Sequence, residues 1–229
     1  MELTETRPGL YRWTAPHPAY EPDPEPGSPA DWPEQVGCVA YEAPDALVLI
    51  DPLVPDSLWP TLDRLAKAPL AVPSSGSRAS PVIRLKRPVD TMDAGEQAVS
   101  RRVVVLTTIG FHRRSRDAVA ERYGASTSRA KKTLPTEVET IPVRRSGETM
   151  VWIPEHAALV PGDRILGGRD GGLRVCPDSW LRYLPSGMTG DGLRETLRPL
   201  LRLPIELVLV SHGEPVLNGG RDALKRALE

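Results

Sequence analysis

The sequence predicts a mixed α/β fold, built as a single domain over residues 1–229. A chain of 229 residues lies within the size range of one α/β body. Short β-favouring runs and helical patterns alternate in both halves of the chain, and no segment repeats at a fixed period. With 25 prolines and a single phenylalanine, the chain is expected to form short helices around a core of aliphatic side chains.

The N-terminal part is predicted to contain an extended surface segment followed by a β-hairpin. Residues 17–33 are rich in proline and acidic side chains, a composition that buries little apolar surface. Two β-favouring runs, 37–41 and 46–50, are separated by turn-forming residues. We therefore expect these runs to pair as a hairpin that ends at Asp51.

The middle of the chain is predicted to hold a helix, a loop insertion and a buried strand. Leucines at helical spacing predict a helix over 57–68. Residues 71–100 are rich in Ser, Pro and Arg and are read as an insertion, with one strand over 82–85. The continuous aliphatic run 102–107 is typical of a strand covered on both faces.

The remaining elements continue the alternation of strands and helices. A helix is expected over 116–123, because Gly124 offers a left-handed residue to end it. Residues 167–172 are glycine-rich but lack the lysine of a phosphate-binding loop, so they are read as a flexible connection. The other predicted elements are strands over 138–143, 150–153, 157–160 and 207–210, and helices near 192–202 and 221–228.

Charge and cysteine content exclude several classes of protein. The 29 basic and 30 acidic side chains leave a net charge of −1, which does not favour binding to nucleic acid or to an anionic membrane. Cys38 and Cys176 are far apart and form no metal-binding pair, so a reducing, cytoplasmic setting is expected. Neither a signal sequence nor an apolar run of about 20 residues is found. A small molecule is therefore the expected ligand.

Four short strings, in a fixed order, carry a resemblance to a known superfamily. They are Leu49-Ile50-Asp51-Pro52, Val103-Val104-Val105-Leu106-Thr107, Val160-Pro161-Gly162-Asp163 and Val208-Leu209-Val210-Ser211-His212-Gly213. Together they resemble the metallo-β-lactamase superfamily over most of the chain outside 71–100. The resemblance implies a four-layer αββα sandwich, with two mixed β-sheets packed face to face and helices outside. It also implies a metal site on loops at one edge of the sheets.

The sequence departs from the superfamily's H-x-H-x-D-H motif, which binds two metal ions. The matching string runs from Thr108 to Arg113, so threonine and Gly110 replace the two histidines that would bind the first metal. A third ligand of that metal, usually histidine, corresponds to Glu148, which is kept as a candidate ligand. The first metal position is therefore expected to be lost.

The second metal position keeps more of its ligands. His112 stands where the superfamily has aspartate, while Asp163 and His212 match the shared carboxylate and the last histidine. Two histidines and one carboxylate can bind zinc, or alternatively iron or manganese, and the bound ion can activate water. Asp51 corresponds to a buried aspartate that orders the loops around the site through hydrogen bonds.

These residues support two functions. The first is a hydrolase with at most one divalent metal, which activates water against an ester, thioester, amide or phosphoester. In the second, Arg113 replaces the remaining histidine and pairs with Asp163, so that the protein binds no metal and acts as an inactive ligand-binding or interaction module. Arg113, Arg114 and Arg116 surround a predicted helix N-terminus, where they either bind an anionic substrate group or form a solvated basic face.

The other candidate side chains are assigned structural roles. His17 and His156 are expected to be solvated loop residues. Cys38 is expected to be a buried small side chain, and Cys176 has no evident activating partner. Without a G-x-S-x-G motif, a serine hydrolase of that type is not predicted.

Overall fold

The computed structural model describes residues 3–68, 101–127, 134–168 and 171–229. The predicted insertion over 71–100, with its strand over 82–85, lies outside the described residues, as does the centre of the glycine-rich connection. None of the described helices is long and apolar enough to cross a membrane.

The first sheet has five strands in the order β1-β2-β3-β4-β5. Its strands are β1 (Thr4–Arg7), β2 (Leu10–Pro16), β3 (Gln35–Ala43), β4 (Ala46–Ile50) and β5 (Arg102–Leu106). β1 to β4 pair antiparallel, and β5 joins β4 parallel. The predicted hairpin is β3 and β4, and its first strand is longer than expected. β1 and β2 were not predicted.

The second sheet has four strands in the order β11-β8-β7-β6. Its strands are β6 (Glu139–Val143), β7 (Glu148–Ile153), β8 (Ala158–Val160) and β11 (Leu207–Val208). β11 pairs parallel with β8, and the other pairs are antiparallel. A separate two-stranded ribbon, β9 (Ile165–Gly167) with β10 (Leu173–Val175), was not predicted.

Four α-helices occur in the described residues, close to their predicted positions. They are α1 (Trp59–Lys67), α2 (Arg116–Tyr123), α3 (Gly190–Leu197) and α4 (Gly220–Ala227). α2 ends where predicted, since Gly124 adopts the left-handed conformation with φ of 59°. Thr189 caps the start of α3, because its side chain accepts a hydrogen bond from the Gly192 amide at 3.2 Å.

Alternate side chains of the buried strands face different layers. In β4, Leu47 and Leu49 belong to the cluster that includes Leu62 of α1, whereas Val48 and Ile50 belong to the cluster between the two sheets. A third cluster joins the outer face of the second sheet to α3 and α4. The predicted αββα arrangement, with two mixed sheets and helices outside, is confirmed.

Candidate metal centre

The candidate residues follow the ends of strands from both sheets. Asp51 directly follows β4, and His112 lies on the loop that follows β5. Asp163 follows β8, and His212 lies on the loop after β11. A hydrogen bond joins the two sheets at this edge. The Gly37 amide of β3 donates to the carbonyl oxygen of Ser211, the residue before His212, at 2.7 Å.

The structure brings His112, Asp163 and His212 together in a buried cluster. Asp163 Oδ1 lies 2.9 Å from His112 Nε2 and 3.3 Å from His212 Nε2. One nitrogen or oxygen atom from each residue lies within 4.8 Å of the others, which is close enough to hold one metal ion. Two ligands of a tetrahedral zinc ion are about 3.3–3.4 Å apart when each bond is about 2.0–2.1 Å. The 3.3 Å separation matches that value, and the 2.9 Å separation is shorter.

The orientation of the donor atoms also fits a metal ion. Asp163 Oδ1 is buried and has no well-oriented hydrogen-bond donor among the described residues, despite the two nearby imidazole nitrogens. A buried carboxylate oxygen that has electrostatic contact with imidazole rings but no well-directed hydrogen bond is incompletely compensated for its lost hydration. A divalent cation in contact with all three side chains would supply the missing compensation.

Asp51 fixes the orientation of the His112 ring. The Asp51 carboxylate lies 2.8 Å from His112 Nδ1, and it accepts hydrogen bonds from the amide, at 2.8 Å, and the hydroxyl of Thr108. With Nδ1 donating to Asp51, His112 Nε2 is left facing Asp163. Histidines that bind metals generally donate their second ring N–H to a carboxylate or carbonyl oxygen in this way. Asp51 therefore contacts His112 as a positioning residue would, and its role in function stays a prediction.

Burial and charge shift the pKa values of all three clustered residues. Burial opposes a charge on His112, but the carboxylates of Asp163 and Asp51 outweigh it and raise the pKa of His112 to about 9. Burial lowers the pKa of His212 below its usual value, although Asp163 opposes this shift. Burial alone would raise the pKa of Asp163, but the two imidazoles hold it well below its usual range.

Glu148 lies at the start of β7 and is not part of the cluster. Its carboxylate is buried and accepts hydrogen bonds from three successive backbone amides: Gly162 at 3.0 Å, Asp163 at 2.7 Å and Arg164 at 2.9 Å. Burial and the Asp163 carboxylate raise the pKa of Glu148 to about 7, while the amides of Gly162 and Asp163 oppose the rise. In this structure Glu148 holds the loop that carries Asp163, an arrangement different from the ligand role suggested by the sequence.

The arginine at the centre of the site is Arg114, which the sequence analysis did not single out from its neighbours. Its guanidinium donates to the carbonyl oxygens of Gly37 at 3.1 Å and Asp51 at 2.9 Å, and to the Ser211 hydroxyl at 2.7 Å. Arg113, by contrast, is exposed and forms no ion pair with Asp163. The predicted salt bridge in place of the metal is therefore wrong. Arg113 does not line the cavity whose wall contains His112 and His212.

A second cavity, of about 220 Å³, lies beside the basic residues at the start of α2. Arg113 and Arg116 contribute to its wall together with Thr107. Arg116 is already hydrogen-bonded to Asp117 at 2.9 Å. The structure thus places two of the three arginines of the predicted basic group away from the cluster, and only Arg114 beside it.

The cluster forms part of the wall of a cavity of about 350 Å³. Two tryptophans approach His212 edge-on, with ring centroids 5.6 Å away for Trp32 and 5.5 Å away for Trp180. The wall is formed by His17, Pro29, Trp32, Phe111, His112, Arg114, Asp163, Arg164, Trp180, Tyr183, Leu184 and His212.

The proline-rich segment over 17–33 covers one side of this cavity. The Trp180 indole N–H donates to the Ser28 carbonyl oxygen at 3.3 Å, and His17 contacts Trp32 at a centroid distance of 5.0 Å. His17 is therefore half-buried in the cavity wall, and its assignment as a solvated loop residue was wrong. The composition of the segment indicated an extended loop but gave no sign of its long-range contact with Trp180.

Two further assignments concern residues outside the cavity. His156 is not a solvated tip, because its side chain packs edge-on against Tyr41 at a centroid distance of 5.4 Å. Cys38 is buried as expected, Cys176 is also buried, and burial raises the pKa of each thiol to about 11. Both thiols are protonated at neutral pH, which argues against nucleophilic catalysis by either one.

Comparisons with known proteins identify the fold. No protein-family model matches the sequence, and no curated protein matches it by sequence. Among solved structures, a metallo-β-lactamase from Erythrobacter litoralis aligns with 99% of this chain and 89% of its own, with a TM-score of 0.52 and 12% identity. The mono-zinc form of an NDM_FIM-1-like metallo-β-lactamase from Erythrobacter litoralis aligns with 99% of this chain and 94% of its own. Its TM-score is 0.52 and its identity is 12%.

A third solved structure gives the same result. The DIM-1 metallo-β-lactamase, in a crystal exposed to ceftazidime, aligns with 99% of this chain and 95% of its own. Its TM-score is 0.56 and its identity is 9%. At these identities the comparisons establish the fold and leave the reaction open. The chain is a divergent protein of the metallo-β-lactamase fold.

Proposed function

We propose that this protein is a metal-dependent hydrolase that uses one divalent ion bound by His112, Asp163 and His212. The observation that carries the proposal is the convergence of two imidazole nitrogens and one carboxylate oxygen within 4.8 Å. This ligand set is common at catalytic zinc sites and is also used for iron, so zinc is the metal that we expect first. Three protein ligands leave coordination positions open for water and substrate.

A divalent ion in this position would supply a water nucleophile near neutral pH and polarise the carbonyl or phosphoryl group of an ester, thioester, amide or phosphoester. The protein side chains have separate tasks. Asp51 holds the His112 ring so that Nε2 faces the site, as the 2.8 Å contact supports. Glu148 holds the backbone of the Asp163 loop through three amides. Trp32 and Trp180 pack against His212 and would limit access of bulk water to it.

The second candidate is a ligand-binding protein without hydrolytic activity. The observation in its favour is the loss of the first metal position, where Thr108 donates its hydroxyl to Asp51 and Glu148 is engaged with backbone amides. A cavity with an aromatic wall can bind a ligand without turnover.

Hydrolysis assays on the zinc-loaded full chain test the proposal. The substrates are p-nitrophenyl acetate, a phenyl thioacetate, a p-nitroanilide and bis-p-nitrophenyl phosphate. We expect turnover of at least one of them, with loss of activity after chelation and recovery on adding zinc. We expect His212→Ala to lower the rate at limiting zinc by about 100-fold or more, because loss of a metal ligand should cost at least as much as loss of a residue that orients one.

His156→Ala is the matched control, because this histidine packs against Tyr41 and does not line the cavity. It should retain the rate of the unmodified protein. Bound zinc without turnover of any substrate would overturn the hydrolase and favour the binding protein. Equal rates in His212→Ala and the unmodified protein would show that the activity arises elsewhere.

A further inference from the structure

The positively charged side chains in the wall of the larger cavity are already engaged with the protein. Arg114 donates to two carbonyl oxygens and to the Ser211 hydroxyl. Arg164 is 3% exposed and donates to the Ser146 carbonyl oxygen at 3.0 Å and the Trp180 carbonyl oxygen at 3.5 Å. Both Nη atoms of Arg114 are used in these bonds and its Nε is buried, while Arg164 as a whole is almost fully buried. Neither guanidinium therefore presents a free pair of N–H groups to a carboxylate or phosphate group of a substrate.

The remaining wall is mainly aromatic and apolar. Phe111 precedes His112 in the chain and is 77% exposed, and Tyr183 is 71% exposed. Both line the same cavity as Trp32 and Trp180. Large exposed rings next to a cluster of metal-ligand type commonly form a recognition surface. A cavity of about 350 Å³ has the size of a small-molecule site and is too small for a macromolecular partner.

Trp32 and Trp180 lie beside the proposed metal ligand His212. A substituent next to the bond to be cleaved would contact them there. Each lies edge-on to His212, at 5.6 Å for Trp32 and 5.5 Å for Trp180. His212 Nε2 faces Asp163 at 3.3 Å, so the reacting atom of a substrate has to approach beside the same ring. A substituent on that atom therefore enters the space between the indoles and the exposed Phe111.

We propose that this cavity selects small uncharged substrates that carry an aromatic ring beside the scissile bond, with Trp32, Trp180 and Phe111 as the specificity-determining residues. The inference rests on the proposed hydrolase function, because it names the substrate class of the same site. It follows from the aromatic wall, the size of the cavity and the prior engagement of Arg114 and Arg164.

Binding of simple amides to the chelated protein, which lacks the proposed catalytic ion, tests this inference separately from turnover. The probes are N-(1-naphthyl)acetamide, which is uncharged, N-(1-naphthyl)succinamic acid, which adds a carboxylate, and acetamide, which lacks the ring. Dissociation constants are measured by calorimetry on the full chain, both after chelation and after loading with zinc. In the chelated protein we expect the naphthyl acetamide to bind at least about tenfold tighter than either other probe, which corresponds to about 1.4 kcal/mol.

The variants Trp32→Leu and Trp180→Leu should each weaken binding of the naphthyl acetamide by about tenfold. The reason is that a pair of aromatic rings contributes favourable free energy in addition to that of the apolar area it buries. Trp180→Phe keeps an aromatic ring, so it should lose less affinity than Trp180→Leu. This difference separates the loss of an aromatic contact from a loss of folded structure. Trp59→Leu is the matched control. Trp59 lies on α1, packs beside Tyr123 of α2 and does not line the cavity. Melting temperatures of all variants are measured alongside.

The outcomes separate the two proposals. Tighter binding of the carboxylate probe in the chelated protein, or equal binding by the Trp32→Leu, Trp180→Leu and Trp59→Leu variants, would overturn the inference. Tryptophan-dependent binding in a protein that never retains zinc would support the selectivity of the cavity and refute the hydrolase. Zinc-dependent turnover without any preference for the naphthyl amide would support the hydrolase and overturn the inference.

Discussion

His112 lies between two carboxylates, and this arrangement determines its protonation. Asp51 is 2.8 Å from Nδ1 and Asp163 is 2.9 Å from Nε2. Both ring nitrogens therefore carry protons in the metal-free protein below the raised pKa of about 9. A metal at Nε2 has to displace one of these protons, whereas His212, whose pKa burial lowers, has none to lose at neutral pH.

We expect the zinc affinity to increase with pH. Between about pH 7 and about pH 9 the apparent association constant should rise about tenfold per pH unit, because one proton leaves His112 for each ion bound. Calorimetry with a competing chelator, in buffers of different ionisation enthalpy, measures both the affinity and the number of protons released. An affinity that does not change over this range would contradict the assignment of His112.

The same proton affects the stability of the metal-free protein. The folded pKa of His112, about 9, lies above its usual 6.5. Its contribution to the free energy of unfolding is therefore complete below about pH 6.5 and is lost as the pH rises through about 9.

Asp51→Asn tests the positioning role of the carboxylate. The amide keeps the size of the side chain but removes the charge opposite His112 Nδ1, so we expect zinc affinity to fall by about 10- to 100-fold. Asp45→Asn is the control, because Asp45 is an exposed residue that pairs with Arg102 on another part of the sheet. Unchanged zinc affinity in a folded Asp51→Asn protein would show that Asp51 only supports the loop.

Elements with a strong local pattern could be predicted from sequence. α2 has its end fixed by Gly124, whose left-handed φ of 59° few other residues adopt. β4, and β5 after its exposed first residue Arg102, are continuous aliphatic runs, as expected of strands covered on both faces. β1, with the polar sequence Thr-Glu-Thr-Arg, could not be predicted, because its order comes from pairing with β2.

The site could be predicted as far as its clustered side chains, since each follows a recognisable strand. The role of Arg114 could not be predicted, because the pattern of the sequence does not distinguish it from Arg113 and Arg116. Arg114 turns inward at a residue with φ of 37°, while Arg113 remains exposed. The contact of Trp32 with His212 spans most of the chain, and the composition of a proline-rich segment does not specify such a contact.

Gly162→Ala tests the packing of the loop that carries Asp163. An added Cβ atom would lie 2.6 Å from Thr108 Oγ1 and 3.0 Å from Glu148 Oε2. Since both neighbours are buried and hydrogen-bonded, we expect the free energy of unfolding to fall by about 1–3 kcal/mol. Denaturant titration measures this change.

Gly110→Ala is the matched control for that experiment. Gly110 lies in the loop between Thr108 and His112, and an added Cβ atom would meet no group of the described residues within 4 Å. Its stability should stay within about 0.5 kcal/mol of the unmodified protein. A Gly162→Ala protein as stable as Gly110→Ala would mean that Thr108 and Glu148 can move aside.

In the molecule as a whole, the two sheets meet at the edge where the cluster lies. Arg114 binds Gly37 of β3, Asp51 after β4 and Ser211 after β11, so a single guanidinium joins strand ends from both sheets. The four-layer arrangement is shared with solved metallo-β-lactamases at 9–12% identity. The layers bring the loops together, and the residues on those loops determine the chemistry.

Arg114→Lys tests this connection between the sheets. A lysine ammonium cannot reach all three acceptors in the planar geometry of a guanidinium, so we expect a loss of about 1–3 kcal/mol in the free energy of unfolding. Arg113→Lys, at the neighbouring exposed position, should change stability by less than about 0.5 kcal/mol. Equal effects of the two substitutions, measured by denaturant titration, would exclude a special role for Arg114.

The most direct measurement is the metal content of the full chain, determined by mass spectrometry after purification without chelator, incubation with zinc and removal of unbound metal. With His112, Asp163 and His212 as ligands, we predict about one zinc ion per chain and a higher melting temperature in the presence of zinc. His212→Ala should retain almost none, while His156→Ala should retain the full amount. No zinc in the unmodified protein, or equal zinc in the unmodified protein and His212→Ala, would contradict the proposed metal centre.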